Sequence, residues 1–130
     1  MSRKIKAYYV NPRTNTAEPR EIETTLDTYY KLLECDCITI TSRGFGRSRK
    51  RFDIICDDEG LLKDDPLISA IDDLGRVMLV GALLVCGEVD DEGELTSLTD
   101  SDVRLLKKYT NHLGTRNHPK GWYMLTSVKY

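Results

Sequence analysis

The chain has 130 residues, 40% of them hydrophobic, with 19 Lys and Arg against 21 Asp and Glu for a formal net charge of −2. That length suits one domain with a real but small core. No apolar run reaches the roughly 20 residues of a membrane helix; the longest, Val77 to Cys86, is broken by Gly81. Arg3, Lys4 and Lys6 are followed by no apolar stretch of secretory length, so a cytoplasmic protein is expected. Cys35, Cys37, Cys56 and Cys86 are then expected as free thiols.

Ile5 to Val10 is rich in Tyr, Val and Ile and predicts an opening strand, ended by Asn11-Pro12 and the turn residues Arg13 to Thr16. Pro19 to Glu23 predicts a short return strand with Ile22 inward, and a proline at its start suits a sheet edge. Thr24 or Thr25 caps a helix with Asp27 in its first turn. Leu26, Tyr29, Tyr30 and Leu33 form its apolar stripe, and it ends near Glu34. Cys35 to Thr41 alternates in the manner of a strand, with Ile38 and Ile40 on one face, and Cys35 and Cys37 together. Phe52, Ile54 and Cys56 share a face of the next strand.

Asp57 to Gly60 predicts a turn, and Leu67, Ile68, Ile71 and Leu74 have the spacing of a short helix after Pro66, ended by Gly75. Val77 to Val80 and Ala82 to Cys86 predict one bent strand or two, with Gly81 at the bend. Glu88 to Glu94 is an acidic turn, after which Leu95 to Leu98 pairs back. Thr99 caps a helix from Asp100 to about Tyr109, with acids in the first turn, Val103 and Leu106 inward, and Lys107 and Lys108 near its C-terminal end. Asn111 to Gly121 is expected as loop, and Trp122 to Val128 as a last strand or docked tail. The sum predicts a single α+β domain over residues 1–130, a mostly antiparallel sheet with two or three helices packed on one side. It carries an exposed basic loop at 42–51 and a C-terminal tail at 111–130.

Charge is sorted along this chain. Residues 57–102 hold 14 of the 21 acids and two bases, whereas residues 103–130 hold six bases and no acid. The loop at 42–51 concentrates Arg43, Arg47, Arg49, Lys50 and Arg51 around Phe45. Opposed patches of this kind steer and orient a docking partner. Alternatively, the arginines meet backbone phosphates and Phe45 stacks on a base, which makes the loop a nucleic-acid interface. Gly44-Phe45-Gly46 precedes a strand and not a helix, so it is no phosphate cradle.

Asp90, Asp91 and Glu92 are candidate binding residues of the opposite sign. Neither acidic turn has the ligand spacing of a calcium loop, and a solvated face is the plainer reading beside imitation of a nucleic-acid backbone. His112 and His118 lie in a loop without a local nucleophile signature, and Cys35-x-Cys37 lacks a second chelating pair. No enzyme, metal or cofactor is expected, and no membrane partner. Trp122 is expected in the core and Tyr130 at an interface.

Several landmarks recur in a set order: Asn11-Pro12, Arg20-Glu21-Ile22-Glu23, Thr25-Leu26, Ile54 through Leu62, Gly81 through Gly87, and Ser97 through Asp102. In this order the chain resembles a family of small proteins of unknown function, domain-of-unknown-function family 3846, over roughly residues 5–110. The resemblance implies a small accessory protein of a bacterium, plasmid or phage, and brings no catalytic residue with it. The function expected is a non-enzymatic cytosolic interaction protein, an accessory of a phage or mobile element that binds a host protein. The alternative is a nucleic-acid-binding accessory using residues 43–51.

Overall fold

The computed structural model describes residues 3–59 and 66–130. Strands β1 (Lys4–Asn11) and β2 (Thr16–Glu23) form an antiparallel hairpin in continuous register, Lys4 opposite Glu23 and Asn11 opposite Thr16. Helix α1 (Leu26–Leu33) starts at Thr25, whose hydroxyl accepts the Thr28 N–H at 3.2 Å, and it stops at Glu34 in the left-handed conformation. Strands β3 (Ile38–Phe45) and β4 (Arg51–Asp57) follow, then β5 (Ile68–Ile71), β6 (Val77–Val80) and β7 (Leu83–Cys86). Helix α2 (Asp100–Lys108) opens on a capping box, in which Thr99 Oγ1 accepts the Asp102 N–H and the Asp102 carboxylate accepts the Thr99 N–H. Strands β8 (Thr110–Leu113), β9 (Trp122–Leu125) and β10 (Val128–Lys129) complete the chain.

Two sheets result. One has six strands in the order β10-β3-β4-β7-β1-β2 and is antiparallel throughout. The other has four, β6-β5-β9-β8, with β5 and β9 parallel. Both faces of the six-stranded sheet are covered, so its central strands carry consecutive apolar residues, at 7–10, 54–56 and 83–86, and not only alternate ones. Tyr8, Val10, Phe52, Ile54, Leu83 and Val85 face one core, which Ala70, Leu125, Val103 and Leu106 close from the second sheet and α2. Ala7, Tyr9, Ile55, Leu84 and Cys86 face the other, closed by Tyr29 and Leu33 of α1 and by Leu95. Fully burying an aliphatic side chain such as Ile55 or Leu84 contributes about 1.5–3 kcal/mol, and two such layers compensate for the small size of the chain.

This architecture corrects the expected fold class. The molecule is mainly β: among the described residues there are ten strands and two short helices, and the helices lie on opposite faces of the larger sheet. A second sheet stands where helices on one side were expected.

The helix expected after Pro66 is in fact β5. Its Ala70 pairs with Leu125, a partner 55 residues away, and Leu74, one of the four helically spaced residues, is exposed at the hairpin tip. There Asp72 Oδ1 accepts the N–H groups of Leu74 and Arg76, an Asx loop that turns the chain where a helix would continue. Gly60 of the expected turn, and the segment 61–65 before Pro66, lie outside the described residues. Val77–Val80 and Leu83–Cys86 are two strands in different sheets, parted at Gly81, whose φ of +76° is left-handed.

The C-terminal tail of 111–130 is likewise built into the fold as β8, β9 and β10. Trp122 is buried and donates its indole N–H to the Ile68 carbonyl at 2.6 Å. Cys35 and Cys37 precede β3 and do not share a strand face: Cys35 is buried and Cys37 exposed. None of the four cysteines is in a disulfide among the described residues.

Candidate functional site

The basic run is shorter as a loop than the sequence implies. Arg43, Gly44 and Phe45 belong to β3 and Arg51 to β4, which leaves residues 46–50 as the connection. The expected exposed loop over 42–51 is thus mostly ladder, with Arg43 opposite Phe52 and Gly44 opposite Arg51.

Phe45 does not project from this segment. It is 0% exposed and packs edge-on to Phe52 at 5.6 Å between ring centroids, with Tyr109 at 6.2 Å. It is a core side chain and offers no face to a nucleic-acid base. The sequence pattern that hid this is the flanking pair of glycines. Gly46 takes a left-handed φ of +52°, and a side chain there would run into the Tyr109 ring.

The loop is held at several points. The Gly46 N–H donates to the Ser127 carbonyl at 2.8 Å, the Ser48 N–H to the Phe45 carbonyl at 3.1 Å, and the Lys50 N–H to Ser48 Oγ at 3.1 Å. Lys129 Nζ donates to the carbonyls of Gly46 at 2.7 Å and Ser48 at 3.1 Å. A β10 cation therefore joins the loop, a contribution that sequence order conceals and only the β10–β3 pairing creates.

The charges of the run have different fates. Lys50 Nζ lies 3.4 Å from Oδ1 of Asp102, whose side chain is only 8% exposed. The α2 capping box thus neutralises one cation of the loop. Arg43 turns back on its own strand, donating to Thr41 Oγ1 and to the Ser42 carbonyl, with its guanidinium 4.7 Å from the centroid of the Tyr130 ring. Arg51 donates to Ser42 Oγ at 3.2 Å and 3.3 Å. Arg47 and Arg49 are exposed and make no ion pair among the described residues. The positive surface is therefore Arg47, Arg49, Arg51 and Lys129.

The acidic candidates lie near the same end of the sheet, since Cys86 of β7 pairs with Asp53 of β4 and the turn follows directly. Asp53 Oδ2 accepts the Val89 N–H at 2.7 Å and ties the turn to the sheet. Asp90 Oδ1 accepts the N–H groups of Glu94 and Glu92, and these bonds hold its carboxyl below the usual carboxylate range. Asp91 and Glu92 are exposed, and Glu94 lies 3.8 Å from Arg3. Linear charge sorting survives only in part: Arg3 pairs with Glu94, Lys6 with Asp100 and Lys50 with Asp102, and the two signs share one end of the sheet.

Elsewhere, an open cleft of about 400 Å³ lies between α1 and the far end of β4, lined by Tyr30, Lys31, Glu34, Asp36, Asp57 and Glu59 among others. His112 packs edge-on to Tyr123 at 5.1 Å, and His118 lies 5.2 Å from Trp122. Among the described residues, no three His, Cys, Asp or Glu side chains are grouped to hold a metal ion, and no helix is long and apolar enough to cross a membrane.

The fold and surface define a small two-sheet domain with charged side chains at one end of its larger sheet. The chain belongs to the domain-of-unknown-function family DUF3846, whose match spans residues 5–114. No curated protein and no solved structure matches it.

Proposed function

We propose that this protein acts by binding, presenting the braced β3–β4 loop to an acidic surface of a protein partner in the cytoplasm. The observation that carries this reading is the set of four cations, Arg47, Arg49, Arg51 and Lys129, none of which pairs with a carboxylate among the described residues although the backbone beneath them is fixed. A fixed loop loses little conformational entropy on docking. Its exposed arginines are residues favoured at protein interfaces. Burial of Phe45 and the nearby acidic turn Asp90–Glu94 disfavour an extended polyanion, which would meet both signs of charge on one end of the sheet. The reading takes the protein as an accessory of a phage or mobile element, which makes a host protein the partner to seek.

Affinity capture from lysate with the wild type and with Arg47→Ala/Arg49→Ala/Arg51→Ala tests the reading. A partner retained by the first and lost with the second is expected, and identical sets overturn it. A parallel titration with duplex and single-stranded oligonucleotides at low salt separates the nucleic-acid alternative. Binding that falls steeply with salt and disappears in the triple variant would replace the protein reading.

A further inference from the structure

Among the described residues, the outer edge of β3 is unpaired over most of its length. β10 pairs only with Phe45, through Val128, and with Gly44, through Lys129. Two independent bonds fix which backbone groups face outward. The Asp58 N–H donates to the Cys37 carbonyl, so residues 37, 39, 41 and 43 turn their backbone toward β4; the Gly46 N–H donates to the Ser127 carbonyl, so 46, 44, 42, 40 and 38 turn theirs away. Ile38, Ile40 and Ser42 therefore present N–H and C=O groups along the edge, and among the described residues only the Ser42 carbonyl is engaged there, by Arg43. The exposed stretch is Ile38-Thr39-Ile40-Thr41-Ser42: no charge, no proline, no bulge, and Ile40 47% exposed. Such an edge is a template for another strand.

We propose that this edge pairs with the same edge of a second copy, antiparallel, about a twofold axis at Ile40. The inference goes beyond the loop-docking reading and does not depend on it. Three features select a second copy. Outward groups at 38, 40 and 42 are self-complementary: Ile40 exchanges two hydrogen bonds with Ile40 of the other copy, and Ile38 with Ser42 at either side. Thr39 and Thr41 then meet across the non-bonded pairs, a favourable cross-strand match.

The free length is also right. Past Ser42 the space is closed by Tyr130 and Lys129, so paired strands must part after five residues, and the chain enters β3 only at Ile38. Parting there brings exposed Asp36 of one copy to Arg43 and Lys129 of the other, at both ends of the pair. Charge complementarity thus falls where the strands separate, and uncharged β-branched residues fall where they join.

Because the axis passes through residue 40, that residue meets itself, and this sets the test. The wild type should sediment as a concentration-dependent monomer–dimer mixture over a roughly hundredfold range of concentration. Ile40→Lys and Ile40→Glu should each weaken the dimer by more than about tenfold, since like charges then stand directly opposite. An equimolar mixture of the two should restore it. Circular dichroism of each variant checks that the fold is intact, and Arg47→Ala/Arg49→Ala should leave the dimer unchanged. A wild type that stays monomeric, folded Ile40 variants that still dimerise, or a mixture that does not pair would overturn the proposal. Loss of partner capture in the arginine variant alone bears only on the loop.

Discussion

β2 closes one edge of the six-stranded sheet with Glu18, Pro19, Arg20, Glu21 and Glu23, whereas β3 leaves Ile38-Thr39-Ile40-Thr41-Ser42 along most of the other. On β2, Arg20 is engaged twice, 2.6 Å from Glu18 and 4.6 Å from the Tyr9 ring centroid, and Pro19 offers no N–H. A strand approaching β2 would lose a donor at Pro19 and desolvate charges. One approaching β3 meets neither obstacle. The same sheet therefore has one edge protected by a proline and charged side chains and one left able to pair.

The largest break of this comparison lies one strand inward. Ile40 and Ile55 are paired neighbours on β3 and β4, yet Ile55 is wholly buried. Ile55→Lys places an unpaired ammonium in the core and is expected to cost about 4 kcal/mol or more, a large part of a small domain's stability. Ile40→Lys, on the open edge, should stay within about 0.5 kcal/mol in urea melts of dilute protein. Equal losses would mean that the β3 edge is covered.

An intermediate effect comes from alkaline pH. Burial pushes the Cys86 thiol up to about 12, with the Asp53 carboxylate adding to the rise. Burial likewise pushes Cys56 up to about 11, with the Arg43 guanidinium opposing it. In the unfolded chain both ionise near the ordinary value of 9.0. Between that value and the folded ones the native state holds more protons, so their contribution to stability is complete below pH 9.0 and is lost as pH rises toward 11 and beyond. Urea midpoints should fall over this range. Thiol reagents at neutral pH should modify exposed Cys37, beside the open edge, before the buried thiols of the central strands. A flat alkaline profile would place Cys56 and Cys86 in contact with water.

A small change in stability, about 1 kcal/mol either way, is expected on removing the protection of β2 by Glu18→Thr/Pro19→Val/Glu21→Thr. That variant should instead gain self-association by sedimentation, and the gain should persist with Ile40→Lys also present. No gain would mean that something besides side-chain charge and proline keeps β2 unpaired.

Much of the fold was legible where one residue's neighbours in sequence decide its state. The β1 strand, the Thr25 and Thr99 caps, the Val103–Leu106 face of α2 and the shared face of Phe52, Ile54 and Cys56 all follow from local period and capping. The run of arginines was equally plain. What could not be seen was which of them would remain unmatched. Lys50 met Asp102 because α2 packs beside the loop, and Lys129 joined it because β10 pairs with β3. The Ile68–Ile71 segment reads locally as helix because its apolar spacing satisfies a helix as well as a buried strand, and the parallel partner at Leu125 makes it a strand.

The amino-acid order by itself set the charges, the caps, the turns and the two-faced apolar strands, since these depend on interactions within a few residues or on alternation along one strand. Strand order, the second sheet in place of a helical layer, the burial of Phe45 and the vacant edge at Ile40 were decided only in three dimensions. Each depends on which distant segment hydrogen-bonds or packs alongside, and no local pattern encodes that.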